Sequence, residues 1–468
     1  MSYKKQISDY IDAHIDDMVK DTMDLCRINS VGGAYEEGKP YGDGPYIALM
    51  AAKQLCEKYG FKTTNYDNYV ITADMGDNER HLDILAHMDV VAPGDGWTVT
   101  EPFDPVVKDG KIYGRGTSDD KGPAVAALYA MRAVKELGIP VSKNCRLILG
   151  SDEERGSNDI VHYYAKEPEA PMTFSPDAEF PLTNVEKGQF RGILTAKFDK
   201  TEGVKDLVEF NGGTTTNIVP GKAYAIISAD FNDDDIRVLA DEVTKETGVS
   251  FEIAGNENGL KINAEGKGAH ASLPEDGNNA VLALLCLMTR IPFTESKKVN
   301  LVRELSRLFP YGDHFGRAMG IDLRDDIAGP TTVSMNIVKV DSDSIFANFD
   351  SRTCIDANEE NTVAPAKKAC EEAGFEFEHT YVAPHAVPAD SDFVKTLLGA
   401  YESVTGLPGR CIAMGGGTYV HHLKNGVAFG AVGETTDTHM HGADEFMLIS
   451  ELTDAAKIFA ISIADLCR

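Results

Sequence analysis

The sequence predicts an α/β protein with a mainly parallel central sheet and a large inserted α+β domain. Three observations support this fold class. Strand and helix patterns alternate from the start to about residue 180, the pattern then changes to alternating strands, and the α/β style resumes after the proline-rich stretch at 383–388. We therefore expect a discontinuous domain of residues 1–186 and 384–468, interrupted by an inserted domain of residues 187–383.

The first part of the chain supplies the parallel strands. Apolar residues recur at a helical period over residues 7–28 and 123–137, and short apolar runs at 82–86 and 145–149 predict buried strands. In an open α/β sheet the ligand crevice lies beyond the carboxyl ends of the strands. We expect polar side chains that directly follow these strands to converge there.

The insert and the last segment are predicted from similar patterns. Alternating residues at 332–340 predict a strand of the insert. After the insert, the sequence predicts a helix at 392–405, a strand at 427–432 and a final helix from Leu448. These elements complete the interrupted first domain.

Charge and hydropathy limit the classes of partner. The chain of 468 residues has 45 basic and 74 acidic side chains, which gives a net charge of −29. Such a charge repels nucleic acid and anionic membrane surfaces. The start lacks an apolar signal core, and apolar runs such as residues 280–288 are too short to span a bilayer. The expected location is the cytoplasm.

The eight cysteines predict reduced thiols buried in the core. They stand singly, without a CxxC pair, and most lie in apolar runs. A thiolate zinc site or a catalytic cysteine is the alternative, and the spacing disfavours it.

Five short acidic or histidine-bearing motifs carry the candidate chemistry. They are His87-Met-Asp89, Asp119-Asp120, Asp152-Glu153-Glu154, Ser175-Pro-Asp177 and His439-Met-His441. Imidazole and carboxylate groups without thiolates favour zinc, with manganese or cobalt also suitable. Each motif also has an interpretation that involves no metal. The motif can be a surface triplet, a tight turn with an N-cap acid, an acid cluster at a helix start or a polar loop.

The spacing of residues within two of these motifs indicates roles for Asp89 and for the acids at 152–154. Residues two apart on a strand point to the same side, so Asp89 can orient the His87 ring. Three consecutive acids at 152–154 repel one another unless cations or water separate them. One of these glutamates can then bind a metal while its neighbour takes a proton from water.

The ordered set HMD, GRGTSDDKG, DEERG, SPDAEFP and HGADE resembles the zinc metallopeptidase family of aminoacylases, carboxypeptidase G and carnosinases. The resemblance covers nearly the whole chain. The long insert and the GGTTTNIVPGKA and GGGTY stretches are most similar to PepV-type dipeptidases. It implies a di-zinc aminopeptidase/carboxypeptidase-like catalytic domain and an insert that acts as a lid.

The resemblance also implies individual roles. Two Zn²⁺ ions per chain are implied, with Asp119 as the bridge between them. Glu153 is the implied general base. His441 is preferred to His439 because the family ligand lies four residues before a glutamate, here Glu445. The implied metal ligands are His87, Asp119, Glu154, Asp177 and His441.

Residues of the insert and of the GGGTY stretch are implied to contact substrate. His270 resembles the histidine that polarises the scissile carbonyl, although a lone histidine beside alanines is commonly a packed or surface residue. Asn217 and Arg352 resemble residues that bind a substrate carboxylate, and Arg352 has the alternative of an ion pair with Asp350. Gly416 is implied to line the substrate pocket.

The resulting expectation is a cytoplasmic, metal-dependent exopeptidase that hydrolyses dipeptides as a monomer, with a dimer as the alternative assembly. A small peptide is the expected partner. An aminoacylase that acts on N-acyl amino acids is the alternative within enzymes. A non-catalytic peptide-binding protein on the same fold is the alternative of another class.

Overall fold

A computed structural model of the protein describes residues 2–200 and 205–468. The chain divides into two compact units. The first comprises the residues up to Val185 together with Ala386–Arg468, and the second comprises Glu186–His385. The boundaries drawn from the sequence, 186/187 and 383/384, lie one and two residues from these divisions.

The first unit is built around a mixed sheet. Its central strands run parallel and lie side by side in the order Asn144–Gly150, Arg80–His87, Met172–Ser175 and Gly426–Ala428. Val70–Asp74 adds to the first of these strands in the antiparallel sense. The α/β class is confirmed, and the sheet expected to be mainly parallel is parallel at its centre and antiparallel towards its edges.

A short turn explains the antiparallel edge. Lys62–Tyr66 and Val70–Asp74 form a hairpin, and Asp67 and Asn68 in its turn have φ values of 52° and 64°. Asp and Asn tolerate this left-handed conformation, and tight turns of this kind can join only antiparallel strands. Parallel strands need the longer crossovers that the helices provide.

The other elements of the first unit cover the sheet or form short ribbons. The α-helices are Tyr3–Ala13, Ile15–Cys26, Asp43–Lys58, Lys121–Glu136, Asn158–Tyr164, Asp392–Thr405 and Ile449–Leu466. The 3₁₀ turns are Glu153–Arg155 and Tyr419–His422. The further strands are Val106–Lys108, Lys111–Tyr113, Ala178–Glu179, Leu182–Glu186, His385–Ala386, Cys411–Met414, Ala431–Val432 and Phe446–Leu448.

The helix Lys121–Glu136 is the most buried helix next to the metal-ligand motifs. All its residues from Lys121 to Val134 are buried, because it packs between the strand Arg80–His87 and the helix Ile449–Leu466. A helix that is apolar nearly all round is typically buried, and Lys121 and Arg132 are the charged residues within this buried stretch. This burial fixes the position of the Asp119-Asp120 loop that precedes the helix.

Several predicted elements match the structure, and two are divided. The strand Thr332–Val340 and the helix Asp392–Thr405 have the predicted bounds. The helix predicted at 7–28 is interrupted at His14, whose ring Nδ1 lies 2.7 Å from the carbonyl oxygen of Tyr10 and competes for that acceptor. The prediction of a single strand at 427–432 was wrong. The chain turns at Gly430, which has a φ of 76°, and this turn separates the strands Gly426–Ala428 and Ala431–Val432.

The second unit contains an antiparallel sheet with helices. In spatial order the strands are Ser250–Asn256, Gly259–Glu265, Lys222–Ile227, Leu207–Gly212, Thr332–Val340, Ser344–Thr353, Gly188–Lys197 and Glu376–Val382. The helices are Asp233–Thr247, Ala280–Arg290, Lys297–Leu308 and Ala364–Glu372, with short helical turns at Pro274–Asp276, Arg317–Met319 and Glu359–Val363. Short strands at Ile218–Val219 and Ala269–His270 pair with each other, as do Arg324–Asp325 and Gly329–Pro330.

Each unit has its own hydrophobic core. All eight cysteines lie in the described residues and are free, six of them buried, as the spacing predicts. Among the described residues no helix combines the length and the apolar composition needed to cross a membrane.

Candidate metal centre and active site

Three predicted ligands follow neighbouring parallel strands. His87 is the last residue of Arg80–His87, Glu154 lies in the 3₁₀ turn after Asn144–Gly150, and Asp177 lies two residues beyond Met172–Ser175. Because these strands are adjacent and parallel, the three side chains reach the same edge of the sheet. Asp119 comes to this edge from the loop before the helix Lys121–Glu136.

These four side chains and His441 form two groups that share Asp119. His87, Asp119 and Asp177 form one group, and the potential ligand atoms within it lie within 4.8 Å of one another. Asp119, Glu154 and His441 form the other group on the same criterion. The two groups contain every metal ligand that the sequence implied.

Asp119 faces the two groups with different oxygens. Its Oδ1 lies 3.0 Å from His87 Nε2, and its Oδ2 lies 2.8 Å from His441 Nε2. Asp177 Oδ2 lies 3.6 Å from His87 Nε2, and Glu154 Oε2 lies 3.4 Å from His441 Nε2. A carboxylate that presents one oxygen to each of two ligand groups has the arrangement of a bridging ligand.

The donor set fits two divalent cations. Imidazole nitrogens and carboxylate oxygens suit zinc, and they also accommodate manganese and cobalt. The buried Oε1 of Glu154 has no hydrogen-bond partner within the described residues. An unpaired buried carboxylate oxygen is costly unless a cation neutralises it.

Hydrogen bonds between the histidines and carboxylates perturb both sets of groups. Contacts with Asp119, and then with Glu154, raise the pKa of His441 to about 10. Burial alone would raise the pKa of Asp119, but the hydrogen bonds from His441 and His87 hold it well below its usual range. The Asp119 carboxylate therefore stays ionised between its two histidines.

The remaining acids are crowded by like charge. Burial and the neighbouring carboxylates of Asp177 and Asp119 raise the pKa of Glu153 well above its ordinary value. Burial and Asp119 also raise the pKa values of Glu154 and Asp177. Negative charge in excess of the local positive charge is relieved by bound cations.

The Asp89 side chain was expected to orient the His87 ring, but its hydrogen bonds go mainly to the backbone. The nearer partner of His87 Nδ1 is the backbone carbonyl of Asp89, at 3.0 Å, and the Asp89 carboxylate lies 3.5 Å away. That carboxylate instead accepts hydrogen bonds from the backbone N–H groups of Glu153 and Glu154, each at 3.2 Å. Asp89 thus holds the 3₁₀ turn as well as the ring of His87.

The two candidate histidines of the last motif lie in different environments. His441 reaches Asp119 and Glu154, whereas the His439 ring packs against Phe446 at 5.8 Å between centroids. Both residues have positive φ values, 62° and 56°, so the backbone changes direction at each of them. This turn directs the two rings to different neighbours.

Asp120 and Glu445 contribute to the site although they were not selected from the sequence as site residues. Asp120 Oδ2 accepts the backbone N–H of His87 at 3.0 Å, and the side chain is fully buried. Glu445 accepts hydrogen bonds from the backbone of Gly116 and Ser118, which belong to the loop that carries Asp119. The acid doublet and the acid at the end of HGADE were the only sequence signals for these contacts.

The second unit brings two of its predicted residues to neighbouring positions. The strand that carries His270 pairs with Ile218, and the carbonyl of Asn217 accepts the N–H of Ala271 at 2.8 Å. The hydroxyl of Ser272 lies 2.6 Å from His270 Nδ1, and the N–H of Ser272 donates to the same nitrogen at 3.2 Å. The contact from the N–H favours the tautomer in which Nδ1 accepts and Nε2 carries the proton. Burial and the charge of Arg352 lower the pKa of His270.

Arg352 is buried beside Asp350. Its Nε donates to Asp350 Oδ1 at 2.8 Å, which is the ion pair considered from the sequence. The neighbouring strand places Thr332 opposite Arg352, and the Thr332 hydroxyl donates to the carbonyl of Ser272 at 3.2 Å. These contacts connect Arg352 to the segment that carries His270.

A cavity of about 320 Å³ opens beside the two ligand groups in the first unit. Four of the five ligands line it together with Glu153, and Ile412, Met414 and Met440 add apolar surface. Gly417 and Thr418 also line this cavity, whereas Gly416 is not one of its lining residues. The role of Gly416 in substrate binding stays a prediction.

Known proteins are similar to this chain in sequence or in fold. The Beta-Ala-Xaa dipeptidase of Lactobacillus delbrueckii subsp. lactis is 34% identical over 467 residues, which cover 98% of this chain and 97% of the relative. Human carnosine dipeptidase 1 has a TM-score of 0.61 at 15% identity, with 100% of this chain and 99% of that chain covered. Dug1p of Saccharomyces cerevisiae has a TM-score of 0.60 at 16% identity, with coverage of 100% and 99%.

The sequence model of peptidase family M20/M25/M40 matches residues 84–465. This span begins in the strand that delivers His87 and includes every motif of the metal centre. The family resemblance inferred from the motifs is confirmed. The chain belongs to peptidase family M20/M25/M40.

Proposed function

We propose that the protein is a two-metal dipeptidase that hydrolyses the peptide bond of free dipeptides. The observation that carries this proposal is the pair of ligand groups that share Asp119 beside a cavity containing Glu153. Metal ions of the zinc class, when bound, polarise a substrate carbonyl and lower the pKa of water. His87 and Asp177 would hold one ion, Glu154 and His441 the other, and Asp119 both.

Glu153 is the proposed general base. Its carboxylate lines the cavity and has no hydrogen-bond partner within the described residues, while its backbone N–H is held by Asp89. A carboxylate oxygen of Glu153 takes the proton of the attacking water and later gives it to the leaving amine. The fixed backbone and the unengaged side chain suit this proton transfer.

His270 is the proposed donor to the oxygen of the scissile carbonyl. The N–H of Ser272 favours the tautomer with the proton on Nε2, and the lowered pKa of His270 favours the neutral ring. A donor oriented before reaction stabilises the negative charge that develops on that oxygen. Asn217 and Arg352 are the proposed contacts for the substrate carboxylate, which would limit the enzyme to the end of a peptide.

The relatives support the substrate class. The curated relative that is 34% identical over nearly the full length is named for β-Ala-Xaa dipeptides. Zinc is the proposed physiological metal, with manganese or cobalt as functional substitutes. We also propose that the protein acts as a monomer in the cytoplasm, where its eight free cysteines would remain reduced.

The test is a substrate panel with one chemical change at a time. Purified protein loaded with Zn²⁺ is given Ala-Ala, β-Ala-Ala, N-acetyl-Ala-Ala, Ala-Ala-amide, Ala-Ala-Ala and N-acetyl-alanine. We expect rapid release of alanine from the two free dipeptides and slow release from the amidated and longer peptides. Preferential cleavage of N-acetyl-alanine would identify an aminoacylase instead.

A chelator-treated sample is the control for the panel. It should lose dipeptide hydrolysis and recover it when Zn²⁺ is restored. Binding of dipeptides without hydrolysis in the restored sample would identify a peptide-binding protein and contradict the proposed activity.

A further inference from the structure

Two buried aspartates hold the turn that carries the proposed base. The backbone amides of residues 151–154 all point to carboxylates. Asp159 Oδ2 accepts the N–H groups of Ser151 and Asp152, the latter at 3.0 Å. Asp89 accepts the N–H groups of the next two residues. The segment between the strand and the 3₁₀ turn is therefore fixed along its whole length.

Asp159 is in turn held by Tyr419 from the GGGTY stretch. The Tyr419 hydroxyl donates to the same Oδ2 of Asp159, and both side chains are at most 1% exposed. Asp159 Oδ1 accepts the N–H of Ile160 at 2.7 Å. Each oxygen of Asp159 is thus engaged, and the hydroxyl adds a third donor to the oxygen that binds the turn.

Gly150 leaves the space in which this contact forms. A Cβ atom at residue 150 would lie 2.1 Å from the Tyr419 hydroxyl and 2.4 Å from Asp159 Oδ2. Such distances are impossible without movement of one of these groups. Gly150 is therefore required because a side chain at this position would displace Tyr419 or Asp159, and not because of a turn conformation.

We propose that Tyr419 and Asp159 are positioning residues that fix the turn at 151–154 and, through it, the carboxylates of Glu153 and Glu154. This inference deepens the proposed function and rests on it for the catalytic consequence. Neither residue lines the cavity, so neither is placed to touch substrate. Their effect on Glu153 and Glu154 passes through the backbone of the turn, where small displacements of a catalytic group are costly. The Tyr419 ring also packs edge-on against the ring of His87, at 6.2 Å between centroids, and Tyr419→Phe keeps this ring contact.

Tyr419→Phe tests the proposal because it removes only the hydroxyl. Tyr129→Phe is the matched control, since the Tyr129 hydroxyl is buried in the same unit and donates to the buried Asp21 at 2.7 Å. Neither Tyr129 nor Asp21 contacts a proposed ligand. The Tyr129 hydroxyl also lies 3.0 Å from the Tyr59 hydroxyl, so the melting temperature of Tyr129→Phe should fall at least as far as that of Tyr419→Phe.

The first readout does not depend on activity. Hydrogen–deuterium exchange of peptides that cover residues 149–156 should become faster in Tyr419→Phe and stay unchanged in Tyr129→Phe. The affinity for Zn²⁺, measured by chelator competition, should fall about tenfold in Tyr419→Phe only. Unchanged exchange in Tyr419→Phe would overturn the proposal.

The second readout is turnover of a dipeptide. In Tyr419→Phe at saturating Zn²⁺, kcat should fall about 10- to 100-fold while KM changes less than about threefold. Unchanged kcat in an active enzyme would overturn the catalytic part of the proposal. If the unmodified protein cleaves no dipeptide, the proposed function fails, and exchange with Zn²⁺ affinity still decides whether Tyr419 holds the turn.

Discussion

Arg115 and Glu445 form a buried ion pair that joins two loops of the metal centre. The guanidinium Nη1 of Arg115 lies 2.5 Å from Glu445 Oε2, and the two side chains are 1% and 0% exposed. Arg115 Nη2 also donates to the carbonyl of Gly442 at 3.1 Å. The pair therefore connects the loop that carries Asp119 with the loop that carries His441.

Breaking this pair should destabilise the protein. Arg115→Met removes the cation and leaves Glu445 buried, so the free energy of unfolding should fall by about 3 kcal/mol. Arg410→Met is the control, because Arg410 pairs with Glu434 at the surface and its loss should cost less than about 1 kcal/mol. Urea unfolding of both variants measures the difference. Equal losses would contradict a structural role for the buried pair.

The last metal ligand can be identified by comparing two neighbouring histidines. His441→Ala should reduce bound metal from two equivalents towards one, because its ring faces Asp119 and Glu154. His439→Ala should retain both equivalents, because that ring packs against Phe446. Metal analysis after dialysis gives the counts. Loss of metal in His439→Ala alone would reverse the assignment.

Two adjacent glutamates should have separable roles. Glu153→Gln should lower kcat by at least about 1,000-fold and retain two metal equivalents, because it removes the proton acceptor and no ligand. Glu154→Gln should instead lose metal, because Glu154 belongs to one of the ligand groups. Metal analysis and kcat are measured on the same preparations. A fully active Glu153→Gln variant would exclude Glu153 as the base.

Asp83 should make stability depend on pH. Burial raises the pKa of Asp83 to about 7, while Arg80 and Arg146 lower it and Asp74 raises it. Because the folded pKa exceeds the unfolded value, this carboxyl contributes stability below about pH 4, and that contribution is lost as the pH rises to about 7.

Asp83→Asn should remove this dependence. Relative to the unmodified protein, the variant should gain about 3 kcal/mol of unfolding free energy between pH 4 and pH 8. The exposed Asp77, which is 94% exposed, provides the control Asp77→Asn, for which no gain is expected. Urea unfolding at the two pH values measures both variants. A pH-independent difference for Asp83→Asn would contradict the account of its burial.

The convergence of His87, Asp119, Glu154 and Asp177 could be predicted from the sequence because each follows a recognisable strand or precedes a helix, whereas His441 was assigned from the family resemblance. His87 and Asp177 follow short apolar runs, and strand-end placement makes their convergence a consequence of the α/β pattern. The bounds of the helix Asp392–Thr405 were predictable for a similar local reason, since Ser391 caps its start and Gly406 ends it.

The supporting contacts could not be predicted because they join residues far apart in the chain. Tyr419 and Asp159 are 260 residues apart, and Arg115 and Glu445 are 330 apart. No periodicity or motif spacing records such pairs. The hydrogen bonds from the N–H groups of Glu153 and Glu154 to Asp89 could not be predicted either. They depend on where the neighbouring strand places the turn at residues 153–155.

Stepwise metal reconstitution tests whether two bound metal ions and Glu153 are required for dipeptide hydrolysis. Chelator-stripped protein is titrated with Zn²⁺ while bound metal and hydrolysis of a free dipeptide are followed in the same samples, with Glu153→Gln in parallel. We expect no hydrolysis in the stripped protein, maximal hydrolysis at two equivalents, and binding of both equivalents without turnover in Glu153→Gln. Dipeptide hydrolysis by the metal-free protein, or saturation at a single bound ion, would contradict it.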